Sequence, residues 1–176
     1  ALSVSATTRN PRPGEENGRE YFFLTESQFE DMIKNDELIE HARYVDHYYG
    51  TPKKYVEEKM AAGKDVILEI EIQGALNIKK KFPDALLVFI VPPTAEDLKK
   101  RLTGRATESA EVIEKRLRRA AEESDGMDSY DYIVVNDDID TCVEDLHSLI
   151  RSSHFKESAN TDLVARMKQE LHDMTK

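Results

Sequence analysis

Apolar residues change their spacing several times along this chain, and each change marks an element. Residues 2–8 alternate as a strand does, and Tyr21-Phe-Phe-Leu24 reads as a second short strand beyond a turn rich in proline and glycine. Thr25-Glu-Ser-Gln28 has the form of a capping box. It predicts a helix from about Glu26 to Lys34 with Phe29, Met32 and Ile33 facing inward. Leu38 to Asp46 reads as strand. Pro52, at a first helical position, then predicts a helix running to Ala62 and stopping at Gly63.

Beyond this point the pattern becomes short, almost wholly apolar runs: Val66-Ile-Leu68, Leu86 to Val91 and Tyr132 to Val135. Strands buried on both faces read this way, which predicts an α/β fold with a parallel core sheet. Helices over about 74–81, 94–104, 109–124 and 139–153 are the expected crossovers and covers, with Thr94 as one N-cap. A terminal amphipathic helix is expected from Asn160 onward through Leu163, Val164, Met167 and Leu171. The sequence shows no internal repeat.

Composition narrows the class. A length of 176 residues with 39% hydrophobic content suits one domain with a sizeable core. The longest apolar runs fall far short of the about 20 residues a membrane helix needs, so no membrane association is expected. Cys142 is the sole cysteine, which excludes an internal disulfide and fits a reducing cytoplasm. With 35 acidic against 25 basic residues and a net charge of -10, the chain should be repelled by a nucleic-acid backbone. The five histidines show no ligand spacing, and there is no Cys/His metal framework.

Against that acidic background, Ser3 to Tyr21 gathers hydroxyls, Arg9, Arg12 and a tyrosine into one turn-rich segment, stiffened by Pro11 and Pro13. Every one of these groups is a donor, and arginine's planar fork grips phosphate oxygens bidentately, so the segment predicts an anion pocket. A second cluster is acidic: Glu69 and Glu71 stand two apart on a predicted strand, where they point the same way. Leu98 to Arg119 is unusually basic for so acidic a chain.

The Ser3–Tyr21 segment, followed by Glu37-Leu-Ile-Glu40 and His47-Tyr-Tyr-Gly-Thr51, closely resembles the guanylate kinase family. Leu68 to Gly74, Pro92-Pro93, Arg101 to Glu108 and Val134 to Asp137 occur in the family's order, so the likeness covers nearly the whole chain. It implies a three-layer P-loop kinase-like fold: a parallel core (about 1–7, 56–97 and 120–153), a mixed α/β GMP-binding lobe (about 8–55), a helical lid (about 98–119) and a C-terminal helix (about 160–175). The implied activity is transfer of the γ-phosphoryl group of ATP to GMP with Mg²⁺, in the cytoplasm.

The resemblance also assigns residues. Ser5, Arg9, Arg12, Tyr21 and Tyr49 match those that hold the monophosphate, while Glu40, Thr51 and Glu71 match those around the guanine base. Arg101, Arg105 and Arg116 match lid arginines on the donor phosphates and the transferring group, with Arg9, Arg105 and Arg116 as the catalytic set. Asn136 matches the donor-base region, although a helix-entry cap accounts for Asn136 and Asp137 nearly as well. No direct metal ligand is implied; Glu69 and Glu71 are candidates for contact with Mg²⁺ through water. Both replace aspartates often seen in the family, and Ala106 stands where glycine is common.

The family also opens with a strand, a phosphate loop of the form G-x-x-x-x-G-K-[ST] and a helix, which these residues do not contain. The strand at Leu2 is therefore expected to be the visible remainder of a longer protein, and the kinase activity is expected of that protein. Two alternatives stand beside it: a guanylate-kinase-like binding module without catalysis, and a fragment that binds GMP but not ATP. Oligomeric state is not written in the sequence.

Overall fold

A computed structural model describes residues 1–44, 46–104 and 110–176, and divides the chain into a first unit, Ala1–Pro83, and a second, Asp84–Lys176. The capping box forms as expected. Thr25 Oγ1 accepts from the Gln28 amide at 3.2 Å while Gln28 Oε1 accepts from the Thr25 amide at 2.9 Å, opening helix α1 (Glu26–Lys34). Phe29 on its inner face is fully buried with Ala6 and Leu38, and Met32, Ile33, Phe22, Leu24 and Tyr48 pack around them.

That core lies under a mixed four-stranded sheet of order β2-β1-β4-β3: β1 (Ser5–Thr7), β2 (Tyr21–Phe23), β3 (Leu38–Tyr44) and β4 (His47–Pro52). β1 pairs parallel with β2 and antiparallel with β4, which pairs antiparallel with β3. Gly50 is required at the centre of β4, because a Cβ there would lie 2.9 Å from both the Phe29 ring and the Glu40 carbonyl. The omission lets the Phe29 ring stack on Tyr48 with centroids 5.2 Å apart.

Several expectations need correction. The strand over residues 2–8 shrinks to β1, since Leu2 makes only an isolated bridge to Ile67. That single register pair leaves Val66-Ile-Leu68 outside any strand. β3 ends at Tyr44, and Asp46 takes a positive φ of 70° on the way into β4. β4 was hidden by Gly50 and Pro52, both poor strand residues, but Pro52 sits at the strand's end, where its missing N–H matters least. Pro52 then serves as N-cap of α2 (Lys53–Ala61) rather than its first helical residue.

Helix α3 (Ile72–Lys81) starts earlier than the pattern suggested and packs against β3. The larger correction concerns Glu69 and Glu71, which are not on a strand. Glu71 is the N-cap of α3, and Glu69 lies in the irregular stretch before it.

In the second unit, β5 (Val88–Val91) and β6 (Tyr132–Val135) pair in parallel, as the apolar runs indicated. The Leu87 amide donates to the Asp131 carboxylate at one end and the Asn136 amide to the Val91 carbonyl at the other. The runs overstated burial, however: Val134 is buried, whereas Ile133 and Val135, on the opposite face, are each 49% exposed. Helices α4 (Ala95–Gly104), α5 (Ala110–Ser124), α6 (Ile139–Ser153) and α7 (Thr161–Asp173) fall close to their predicted spans. Thr94 does cap α4, its hydroxyl accepting from the Asp97 amide at 3.1 Å. Asp138, rather than Asn136 or Asp137, caps α6 by accepting from the Thr141 amide at 2.9 Å. No helix among the described residues is long and apolar enough to cross a membrane.

Since Phe29 fills the first unit's core, Phe29→Ala should reduce unfolding stability by about 3–5 kcal/mol. Urea denaturation followed by circular dichroism measures it, and the urea midpoint should fall in proportion.

Candidate functional site

The antiparallel register of β3 and β4 sets Glu40 directly opposite Thr51, and both are buried. The Thr51 hydroxyl donates to Glu40 Oε1 at 2.7 Å, which fixes one carboxylate oxygen and leaves the other, Oε2, directed at α3. There it meets Gly74, so close that an added Cβ would lie 2.5 Å from Oε2. Burial pushes the Glu40 carboxyl above its ordinary range; the neighbouring Glu71 charge adds to the rise, and the Thr51 hydrogen bond and Lys81 oppose it. Glu71 accepts from the Gln73 amide at 2.9 Å and the Gly74 amide at 2.6 Å. Two carboxylates thus face one small space at the start of α3.

The cationic end is built on β1, β2 and the turn after β1. Ser5 is buried on β1 and registers opposite Tyr21, while Thr7 registers opposite Tyr49. Arg9 follows directly: its amide donates to Thr7 Oγ1 at 3.1 Å, and its guanidinium lies 5.3 Å from the Tyr21 ring centroid and 5.7 Å from that of Phe23. Glu15 closes the clamp. Its Oε1 accepts from Arg9 Nη2 at 3.0 Å and its Oε2 from the Arg12 backbone amide at 2.7 Å.

The Arg9 bond holds the Glu15 carboxyl below its ordinary range. Burial works against the Arg9 charge, but Glu15 outweighs it and the guanidinium stays above its usual value. Tyr21 and Tyr49 meet edge to face at 6.2 Å. The Tyr21 hydroxyl is raised by burial and then by the Glu69 charge.

Of the residues singled out from sequence, Ser5, Arg9, Arg12, Tyr21, Glu40, Tyr49, Thr51 and Glu71 all lie in the first unit, on β1, β2, β3, β4, the turn after β1 and the cap of α3. Arg101 (α4, exposed), Arg116 (α5) and Asn136 (half-buried, after β6) belong to the second unit. Arg105 lies outside the described residues. Among the described residues, no group of three or more His, Cys, Asp or Glu side chains could hold a metal ion.

Sequence reasoning assigned no role to three residues that shape the site. Glu15 clamps Arg9, Gly74 makes room for the Glu40 carboxylate, and Lys81 donates from Nζ to the Ile39 carbonyl at 2.5 Å, next to Glu40. A glycine inside a helical pattern is a usable signal for close approach. Lys81 gave none, standing in a run of three lysines that reads as a solvated face.

Residues 1–153 match the family model described as guanylate kinase. The chain is 46% identical over 169 residues to a guanylate kinase of Caldanaerobacter subterraneus subsp. tengcongensis, covering 96% of this chain and 82% of that protein. It is 51% identical over 154 residues to a guanylate kinase of Lactococcus lactis, covering 88% and 75%. A crystal structure of guanylate kinase from Anaplasma phagocytophilum superposes with a TM-score of 0.77 at 32% identity, covering 89% of this chain and 77% of that one. A desolvated carboxylate opposite a threonine and a pre-set arginine beside two tyrosines are therefore found in a chain that belongs to the guanylate kinase family.

Proposed function

We propose that this protein is an ATP:GMP phosphotransferase, moving the γ-phosphoryl group of ATP to GMP to give GDP and ADP. The observation that carries the reading is the buried Glu40 carboxylate, set by Thr51 in a member of the guanylate kinase family. Guanine presents N1–H and its 2-amino group side by side, and one carboxylate accepts both. Adenine would bring an unprotonated N1 against the same oxygens, and a site built around such hydrogen bonds rejects the mismatched base by as much as ~10⁴.

Thr51 has one hydroxyl proton, directed at Glu40 in the free protein. As the base's donors take over the carboxylate, that proton turns to guanine O6, so the exchange leaves no buried group unpaired. Glu71 lies at the amino-group side. The monophosphate is held by Arg9, Arg12, Ser5, Tyr21 and Tyr49, with Arg9 already oriented by Glu15, Tyr21 and Phe23.

In this reading Arg101, Arg105 and Arg116 neutralise the donor phosphates and the transferring group, and Asn136 meets the donor base. Phosphoryl transfer asks chiefly for such positioning and charge. The overall plan is that of a P-loop kinase with a parallel core sheet, a GMP-binding lobe over about 8–55 and a helical lid over about 98–119. Mg²⁺ enters as part of the ATP substrate. Both Glu71 oxygens are engaged by backbone amides, which favours contact through water and phosphate over a protein cage. The protein works in the cytoplasm on small molecules, which suits its single, buried, unpaired cysteine and its acidic charge.

Glu40→Gln turns one acceptor into a donor facing the guanine amine. It should raise the KM for GMP by about 10- to 100-fold in a coupled ADP-release assay. Unchanged GMP kinetics would contradict the reading.

The raised Glu40 carboxyl gives two pH slopes of opposite sign. A carboxyl raised on folding favours the protonated native state, so its contribution to stability is present at low pH and is lost as pH rises through the native value. GMP requires the ionised form. Lowering pH through that window should therefore weaken GMP binding in calorimetric titration while the Glu40 contribution to thermal stability increases. Glu40→Gln should remove the Glu40 contribution to both slopes.

A further inference from the structure

The two carboxylates of the base-reading end share a close neighbour, Gly74, at the third residue of α3. An alanine Cβ placed there would lie 2.5 Å from Glu40 Oε2, 3.2 Å from Glu40 Cδ and 3.5 Å from Glu71 Oε1. The same residue's backbone amide donates to Glu71 Oε1 at 2.6 Å. Gly74 thus touches both acids, one through a missing methyl and the other through its N–H.

We propose that Gly74 is a specificity-positioning residue: its missing side chain admits the Glu40 carboxylate in the orientation that reads guanine, and its amide fixes Glu71 beside it. The inference rests on Glu40 reading the base, and it assigns the cause of that carboxylate's pose. Both backbones are anchored. Glu40 belongs to β3, which pairs with β4 from Glu40 to Tyr44 after an irregularity between Leu38 and Glu40, and α3 is tied to the same strand by the Lys81 hydrogen bond to Ile39 and opened by the Glu71 cap. Of the atoms nearest an added methyl, those it would clash with belong to the Glu40 side chain, while Glu71 Oε1 stays at ordinary contact distance, so the methyl moves the Glu40 carboxylate off its Thr51 hydrogen bond while leaving the fold in place.

A purely structural glycine predicts the opposite. Alanine is the better helix former, so at a helix position chosen only for folding, Gly74→Ala should be neutral or stabilising and leave substrate preference alone. The two roles therefore separate by readout.

The test compares the parent protein with Gly74→Ala, Glu40→Gln, Glu40→Asp and the double variant Gly74→Ala/Glu40→Asp, each titrated with GMP and with IMP, which lacks the 2-amino group, and melted to obtain Tm. Gly74→Ala is expected to weaken GMP by roughly tenfold or more, shrink the preference for GMP over IMP and keep Tm near the parent value. Because aspartate is one methylene shorter, it leaves space for the methyl, so Glu40→Asp should cost GMP binding less in the Gly74→Ala background than in the parent. Parent-like GMP binding and GMP/IMP preference in Gly74→Ala, or strictly additive losses in the double variant, would overturn the proposal. If Gly74→Ala fails to fold, recovery of the fold by the added Glu40→Asp supports the steric contact and non-recovery overturns it. The reading of Glu40 fails separately, through wild-type GMP affinity in Glu40→Gln.

Discussion

A carboxylate stripped of water governs this site. Transferring an ionised group into a poorly solvated place is costly unless it finds donors, and in the free protein the Thr51 hydroxyl donates to Glu40 at 2.7 Å. The remaining oxygen faces the space bounded by Gly74 and Glu71. Such a group gains most from a ligand that brings its own pair of donors, which is what the Watson–Crick edge of guanine offers. The β3–β4 register, the omission of a side chain at Gly50 and the cap of α3 are the means by which the fold delivers that carboxylate.

The opposite end obeys the same electrostatics with the sign reversed. Arg9 is held between the Glu15 carboxylate and two aromatic faces, so its guanidinium is oriented before any phosphate arrives. Ordering a long side chain in advance reduces what binding must spend on it. Glu15 keeps the charge compensated in the meantime, and its second oxygen ties the Arg12 backbone into the same turn. In the proposed reading a nucleoside monophosphate is matched at both ends: donors of the base toward an acidic, desolvated pocket, and an anionic ester toward a cation held ready.

Much of this was legible in the residues. Thr25 and Gln28 announced α1, Phe29 announced the core, and Arg9, Arg12, Tyr21 and Glu40 stood in a spacing that resembles the guanylate kinase family. What escaped the sequence depended on contacts between distant segments. β4 was obscured by its glycine and proline, and only the packing of Phe29 against Gly50 shows why that glycine belongs in a strand. Glu71 looked like a strand residue because the apolar run before it has a strand's composition. A run cannot form a ladder by itself, however, and here one bridge at Ile67 is all that closes. Gly74 is the clearest case: a glycine at a helix position hints at a close approach, but which side chain it meets, 34 positions earlier, no local pattern tells.

A crystal structure of the protein with GMP bound tests the central claim most directly. The account predicts both Glu40 oxygens within hydrogen-bond distance of the base, at N1 and the 2-amino group, with the Thr51 hydroxyl moved to O6 and the phosphate ester against Arg9. A base bound elsewhere, or a Glu40 carboxylate still bonded to Thr51 alone with GMP present, would contradict it.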